Sequence, residues 1–353
     1  MAEKKHIIAI DSSKGGNGDI WMRLVGFYTF AGLRPDFSIK ILLPVFFRKI
    51  ATQAFGDRLI ILNGKEENEN FFIYTSLGFV TLVKGILVGE KYIAPYQRSI
   101  IHDKKKRKLK DFLNAKIFNL TDFLGAVQVP AWEHIESYQG FLEIMAIKKI
   151  RTISYQEFVD QLQSDYVTLF TRLNTTAIPI SQQLEKPADL NENILVFPTG
   201  TGRQFVPIWW AKKYLPDAYF AFFYKDKDAV VFKEHGLKTI LFYEEPGDII
   251  ALANSAKWTI TTDSFPSHIL QYASAKCSIA ITEVLKARIV SPVFKGEIIN
   301  AEAACHPCLH LDRTNHPYCA AGHTECLNWK SSIYTQNLLK SINANQVQLN
   351  NGN

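Results

Sequence analysis

The chain has 353 residues, 47% of them hydrophobic and 21% charged. That balance excludes a disordered chain, apart from the asparagine-rich last residues, and the length suits two domains of ordinary size. The net charge of +6 is mild and partly gathered in Lys104, Lys105, Lys106, Arg107, Lys108 and Lys110, which is not the broad basic face with interleaved aromatics expected of a nucleic-acid binder.

The first half alternates strand-like and helix-like segments. His6–Asp11 is a short apolar run ending at a glycine-rich turn, SSKGGNGD. Ile20–Phe30 has helical spacing, Ser38–Leu43 reads as a second strand, Phe46–Phe55 is amphipathic, and Arg58–Leu62 reads as a third strand. Such alternation predicts a parallel sheet with crossover helices. The longest apolar stretch, Phe71–Gly89, is broken by Thr75, Ser76, Gly78, Thr81 and Lys84, which argues against a membrane span. MAEKKHIIAID lacks the apolar core of a secretory signal. The expectation is a cytoplasmic protein, peripheral at most to the inner membrane. The basic run could meet an anionic lipid surface, a phosphorylated acceptor or solvent alone.

Gln182–Asn193 is polar, contains Pro187 and has no apolar period, so a linker is expected over 183–193. The alternation then restarts. Ile194–Phe197 is a strand before the turn PTGTGR, Ile208–Tyr214 a helix, Tyr219–Tyr224 and Lys238–Phe242 strands, Gly247–Ser255 a helix and Trp258–Thr262 a strand. DSFPSH follows, with a helix over Ile269–Ala275. The division expected is an N-terminal domain over 1–182, a second domain over 194–345 and a disordered tail over 346–353.

Three glycine- or serine-bearing turns after strands carry the chemistry. SSKGGNGD matches neither the Walker loop nor the dinucleotide fingerprint. Its glycines still let backbone amides approach a ligand, and Asp19 follows at a helix start, where it either caps the helix or accepts a proton from a hydroxyl. PTGTGR ends in Arg203, a cation suited to phosphate oxygens or to solvent. In TTDSFPSH, Asp263 or Ser264 can cap a helix, Pro266 suits its first turn, and His268 follows.

Together these turns resemble the heptosyltransferase family, glycosyltransferase family nine. GNGDI resembles the family's N-terminal GD turn, FPTGTGR its HPG-like turn, and Asp263, Ser264 and His268 its D[ST]GxxH turn; the order holds from Ile7 to about Trp329. Phe197 stands for the usual histidine, and Thr199 and Phe265 for glycines. The resemblance implies a GT-B fold of two Rossmann-like parallel-sheet domains facing a cleft. It implies an inverting transferase without a catalytic metal, with Asp19 as general base. Gly18, Thr201, Arg203, Asp263, Ser264, Ser267 and His268 then line the donor side. The donor implied is a nucleotide-diphosphate sugar, ADP-heptose in the family. The acceptor would be a hydroxyl of a glycan, a lipid-linked molecule such as lipopolysaccharide, or a protein.

Cys305, Cys308, Cys319 and Cys326 fall within twenty-two residues, in a Cys-x2-Cys pair followed by two more. The spacing fits a closed tetrahedral thiolate site for structural zinc or iron, with disulfides or free thiols as the alternatives. Relatives that glycosylate autotransporters carry an iron-binding cysteine finger in this region. Cys277 sits in an apolar strand-like run and is expected to be a buried small hydrophobe. Two rival functions remain from the sequence: an inactive GT-B scaffold serving as a binding module, and a nucleic-acid binder built on the cysteine cluster and basic run.

Overall fold

The computed structural model describes residues 6–12, 16–63, 153, 155–175, 178–199, 206–274, 276–281, 290–300, 335–340 and 343. Phe71–Gly89, the Lys104–Lys110 run, Thr201, Arg203, the four clustered cysteines and the tail lie outside the described residues. The described residues fall into two compact units, one ending at Leu169 and the other beginning at Phe170.

The first unit holds β1 (His6–Asp11), β2 (Phe37–Leu42) and β3 (Leu59–Leu62), side by side in that order. All are parallel, with Ile8 opposite Ile39 and Ile41 opposite Ile61. Parallel neighbours need crossovers, and α1 (Asn17–Leu33) and α2 (Val45–Phe55) supply them. Nearly every residue of α1 from Ile20 to Ala31 is buried, because its apolar residues surround the axis instead of forming one stripe. Trp21 and Tyr28 each meet Phe55 of α2 edge-on, with ring centroids 5.4 Å apart. α1 begins three residues before the expected Ile20 because Asn17, Gly18 and Asp19 are polar first-turn residues that apolar periodicity does not register.

A further helix, α3 (Tyr155–Leu173), was not expected from the sequence. Its buried Asp165 accepts bonds from Arg58 Nη1 at 2.7 Å and Gln161 Nε2 at 2.9 Å. The Arg58 guanidinium also lies 4.3 Å above the Tyr28 ring. A Cβ on Gly32 would come within 2.5 Å of Arg58 Nη1 and 2.7 Å of Gln161 Nε2, so any larger residue there would displace the side-chain ends that form this clamp. Burial pushes the Asp165 carboxyl above its ordinary value, against the pull of Arg58 and Gln161.

Among the described residues the second unit holds a six-stranded parallel sheet in the order β6-β5-β4-β7-β8-β9. The strands are β4 (Ile194–Phe197), β5 (Tyr219–Phe223), β6 (Lys238–Phe242), β7 (Trp258–Thr262), β8 (Cys277–Ile281) and β9 (Glu297–Asn300). The helices α4 (Ile208–Tyr214), α5 (Asp228–Glu234), α6 (Gly247–Ser255) and α7 (Phe265–Leu270) accompany them. The helix expected over Ile269–Ala275 instead starts at Phe265 and ends at Leu270, because Ser264 takes the N-cap position. β7 is buried at every residue, as a central parallel strand covered on both faces must be.

Phe220 and Phe222 of β5 pack on Phe232 of α5, with centroids 5.2 and 5.0 Å apart. Each such buried ring contributes about 1.5–3 kcal/mol by removing apolar surface from water. Trp210 donates its indole N–H to Thr335 Oγ1 at 3.0 Å, tying α4 to the helix over 335–340. Cys277 is fully buried in β8, and burial pushes its thiol up to about 12. Residues 183–193 run along this unit. Leu190 is buried, and Asp189 accepts from the Tyr219 hydroxyl at 2.6 Å.

No helix among the described residues is long and apolar enough to cross a membrane.

Candidate active site

In each unit the chemistry-bearing turns follow the carboxyl ends of parallel strands, where open α/β sheets bind ligands. In the first unit β1 ends at Asp11 and α1 begins after Gly16, which takes the N-cap position with φ −68° and ψ 150°. Asp19 is therefore the third residue of the helix and not its cap, the simpler role its position in the sequence allowed. Its side chain is exposed, and no hydrogen bond to it is found among the described residues. A Cβ on Gly16 would sit 3.2 Å from Asp19 Oδ2, so the carboxylate leans back over the helix N-terminus. Gly18, half-buried, occupies the same first turn. Arg23 Nε donates to the Asp19 carbonyl oxygen at 3.2 Å, and Arg23 is buried one turn on. Ser12 Oγ and Trp21 Nε1, on the same segment, are buried without a bond among the described residues. Neither residue stands out in the sequence.

In the second unit the chain runs from β4 outward to β6 on one side, then returns to β7 and continues to β9 on the other. The order thus reverses between β4 and β7, and the crevice beyond their carboxyl ends is the place where such sheets hold ligands. Phe197 lies opposite Thr261, so Thr199 and Asp263, each two residues further on, leave the sheet at the same level.

Asp263 and His268 face each other here, with His268 Nε2 3.5 Å from Asp263 Oδ1. Both side chains are largely buried, His268 at 7% exposure and Asp263 at 14%. That separation becomes an ion pair only when the imidazole is protonated. His268 Nδ1 is buried and has no bond among the described residues, an arrangement that leaves it able to donate to or accept from a ligand according to its tautomer.

Ser264 and Ser267 are used differently. Ser264 N donates to Ser267 Oγ at 3.4 Å, Ser267 Oγ donates to Ser264 O at 2.7 Å, and Ser264 Oγ donates to Thr262 O at 3.2 Å. Both hydroxyls close the turn, and Pro266 fixes the first helical turn behind them.

The PTGTGR turn is described as far as Thr199, whose hydroxyl donates to Asp226 Oδ2 at 2.8 Å. A glycine at that position could not make this link. Asp226 Oδ1 in turn accepts from Asp228 N at 3.0 Å, opening α5. The sequence signal for Asp226 is the Asp-x-Asp step before a helix, a side-chain turn pattern.

Asp248 was not anticipated from the sequence either. It is fully buried and accepts from Ser181 N at 2.7 Å and Tyr243 N at 2.9 Å. Burial raises its carboxyl above the ordinary value, opposed by those two bonds.

No family model matches the chain. Among curated proteins, too, there is no match. Solved structures do match. A glycosyl transferase family 9 structure from Veillonella parvula is 11% identical, with 99% of each chain covered and a TM-score of 0.50. The E. coli ADP-heptose LPS heptosyltransferase II is 12% identical, with 98% of this chain and 99% of that chain covered, at a TM-score of 0.49. E. coli heptosyltransferase WaaC with ADP-2-deoxy-2-fluoro heptose is 10% identical over 81% of this chain and 95% of that one, at 0.38. The Veillonella likeness, spanning both parallel-sheet units, gives the chain an α/β fold of the GT-B type.

Proposed function

We propose that the chain is an inverting glycosyltransferase that takes a nucleotide-diphosphate sugar, ADP-heptose or a related donor, and needs no catalytic metal. The observation that carries this reading is the two parallel-sheet units within one chain, similar over 99% of its length to a glycosyl transferase family 9 structure. The exposed Asp19 after β1 and the Asp263–His268 pair after β7 agree with it, each standing at a strand's carboxyl end.

In the proposed reaction the Asp19 carboxylate takes the proton of an acceptor hydroxyl. The hydroxyl oxygen attacks the anomeric carbon from the face opposite the diphosphate, and the carbon–oxygen bond to the diphosphate breaks. The leaving nucleoside diphosphate carries the electron pair away. Arg203, Thr201, His268 and the amides of the turn over Gly18 and of the turn over Asp263, Ser264 and Ser267 stabilise the charges that develop. The acceptor is a glycan, a lipid-linked molecule or a protein hydroxyl. Phe71–Gly89 and the Lys104–Lys110 run seat it, with contact at the inner membrane from the cytoplasmic side. Cys305, Cys308, Cys319 and Cys326 hold a structural zinc or iron, with four thiolates leaving no open position for chemistry.

Calorimetry and thermal shift against ADP, GDP, UDP, CDP and their sugars test the donor side, since a ligand that binds only the folded state raises its stability. Release of nucleoside diphosphate from the matching sugar donor tests catalysis. Binding without release or transfer leaves an inactive scaffold, and no binding at all ends the reading. Elemental analysis for one zinc or iron per chain, lost in Cys305→Ser, tests the metal.

A further inference from the structure

Three loops at the carboxyl edge of the second sheet are joined in series. The turn after β4 meets the loop after β5 through Thr199 and Asp226, 2.8 Å apart. The loop after β5 meets the loop after β6 twice: the Tyr224 and Tyr243 rings stack with centroids 5.2 Å apart, and Glu244 accepts from Tyr224 OH at 2.5 Å and Lys225 Nζ at 3.0 Å. The loop after β6 is then fixed by Asp248, whose Oδ2 accepts from Tyr243 N while its Oδ1 accepts from Ser181 N.

Ser181 belongs to the short stretch that follows α3, within the second unit. The same stretch is pressed on the start of α6, where a Cβ on Gly247 would overlap the Pro179 carbonyl oxygen. Asn174, just past α3, donates to Ala273 O at 3.0 Å and accepts from Asn254 of α6.

We propose that Asp248 is a positioning residue that ties this connecting stretch to the loop after β6, so that a nucleoside diphosphate bound at the β4–β7 crevice also stiffens residues 178–181. The proposal rests on the donor reading above. The chemistry of the side chain supports it. A buried carboxylate without a cationic partner is unfavourable, and an N-terminal cap needs only one acceptor. Asp248 presents two acceptor oxygens to two backbone donors, Tyr243 five residues before it and Ser181 in the stretch after α3. Asparagine satisfies one and turns its own N–H groups toward the other, so the second link is lost. A ligand that fixes Thr199 beyond the end of β4 therefore changes, through Asp226, Tyr224 and Tyr243, the environment of the carboxylate that holds Ser181.

Hydrogen exchange on the full chain, with and without a mixture of ADP, GDP, UDP and CDP, tests this. In the unaltered protein, the mixture should slow exchange in peptides over both 241–246 and 178–183, the latter by roughly fivefold or more, the usual range of site-to-site coupling. In Asp248→Asn the slowing over 178–183 should disappear while binding persists. Glu244→Ala removes an exposed side chain and so should fold, and it breaks the series one step earlier; it should reduce the same response and decides the matter alone if Asp248→Asn does not fold. Slowing over 178–183 that persists undiminished in the variants, or slowing confined to 241–246 in the unaltered protein, overturns the coupling and leaves the donor reading intact. Absence of binding by all four nucleotides overturns both.

Discussion

The two carboxyl-edge turns that carry the candidate residues, one in each unit, are built in opposite ways. After β1, Asp19 stands exposed on the first turn of a helix capped by glycine, with no bond to its carboxylate among the described residues. After β7, the turn is closed by its own hydroxyls, Ser264 and Ser267, and its two ionisable side chains are buried against each other. A group that must take a proton from a mobile acceptor gains from being reachable and unengaged. A group that must hold a charged ligand gains from being fixed before the ligand arrives, since ordering it at the moment of binding reduces affinity. The contrast predicts that substitutions after β1 change turnover and not stability, whereas those after β7 change binding and stability together.

The largest effect expected is from Asp19→Asn. Transfer or donor hydrolysis should fall by about 10²–10⁴-fold, the range for a lost general base. Nucleotide affinity and thermal midpoint should change little, because the side chain is exposed and its helix-dipole contribution is only about 0.3–1 kcal/mol. Near-normal turnover with an unchanged midpoint would remove Asp19 from the chemistry and erase the contrast between the turns.

His268→Ala should act on binding first. Loss of a hydrogen bond to a charged ligand is worth about 1.5–3 kcal/mol, or roughly 10–100-fold in affinity. Calorimetry with the nucleoside diphosphate that binds the unaltered protein measures it. Unchanged affinity would mean that the buried Nδ1 faces only protein or water. Ser267→Ala should show the second half of the contrast, with a loss of stability of about 0.5–2 kcal/mol, the range for removing a helix-capping hydrogen bond, read by urea unfolding. Full stability in that variant would show that Pro266 and the packing of α7 hold the turn unaided.

Most of the second unit is legible in the sequence because its strands are short apolar runs separated by turn residues: β4, β6 and β7 and the helices α4 and α6 fall on the expected residues. The turns after β1 and β7 are legible for the same reason, glycine, proline and serine marking where strands hand over to helices. Three kinds of feature escape. α5 is only seven residues long, too short for apolar spacing to define a period, and it opens on a side-chain turn through Asp226. The partition of roles within DSFPSH is set by rotamers and distances: serine hydroxyls that could meet a ligand instead close on Ser264 and Thr262. Asp248 and Asp165 look like ordinary helix-surface carboxylates, since nothing local tells that the amides of Ser181 and Tyr243, or the guanidinium of Arg58, will converge on them.

Asp165 supplies the smallest and most discriminating test, because two opposing influences act on it. Burial disfavours its charged form, while Arg58 at 2.7 Å and Gln161 favour it and Asp57 adds a further push upward. The balance lies on the side of burial, so its folded-state value stands above that of the unfolded chain. Such a group binds its proton more tightly when folded, and its contribution to stability is complete below the ordinary aspartate value of about 4 and is lost as pH rises through the higher folded value. The difference in unfolding free energy between the unaltered protein and Asp165→Asn should therefore shrink on going from about pH 4 toward neutrality, measured by urea midpoints at several pH values. A difference that grows with pH would mean that the Arg58 ion pair outweighs burial and holds the carboxylate ionised. In that case the clamp between α3 and α1 is a true ion pair, and raising the salt concentration should weaken it little, since buried pairs are poorly screened.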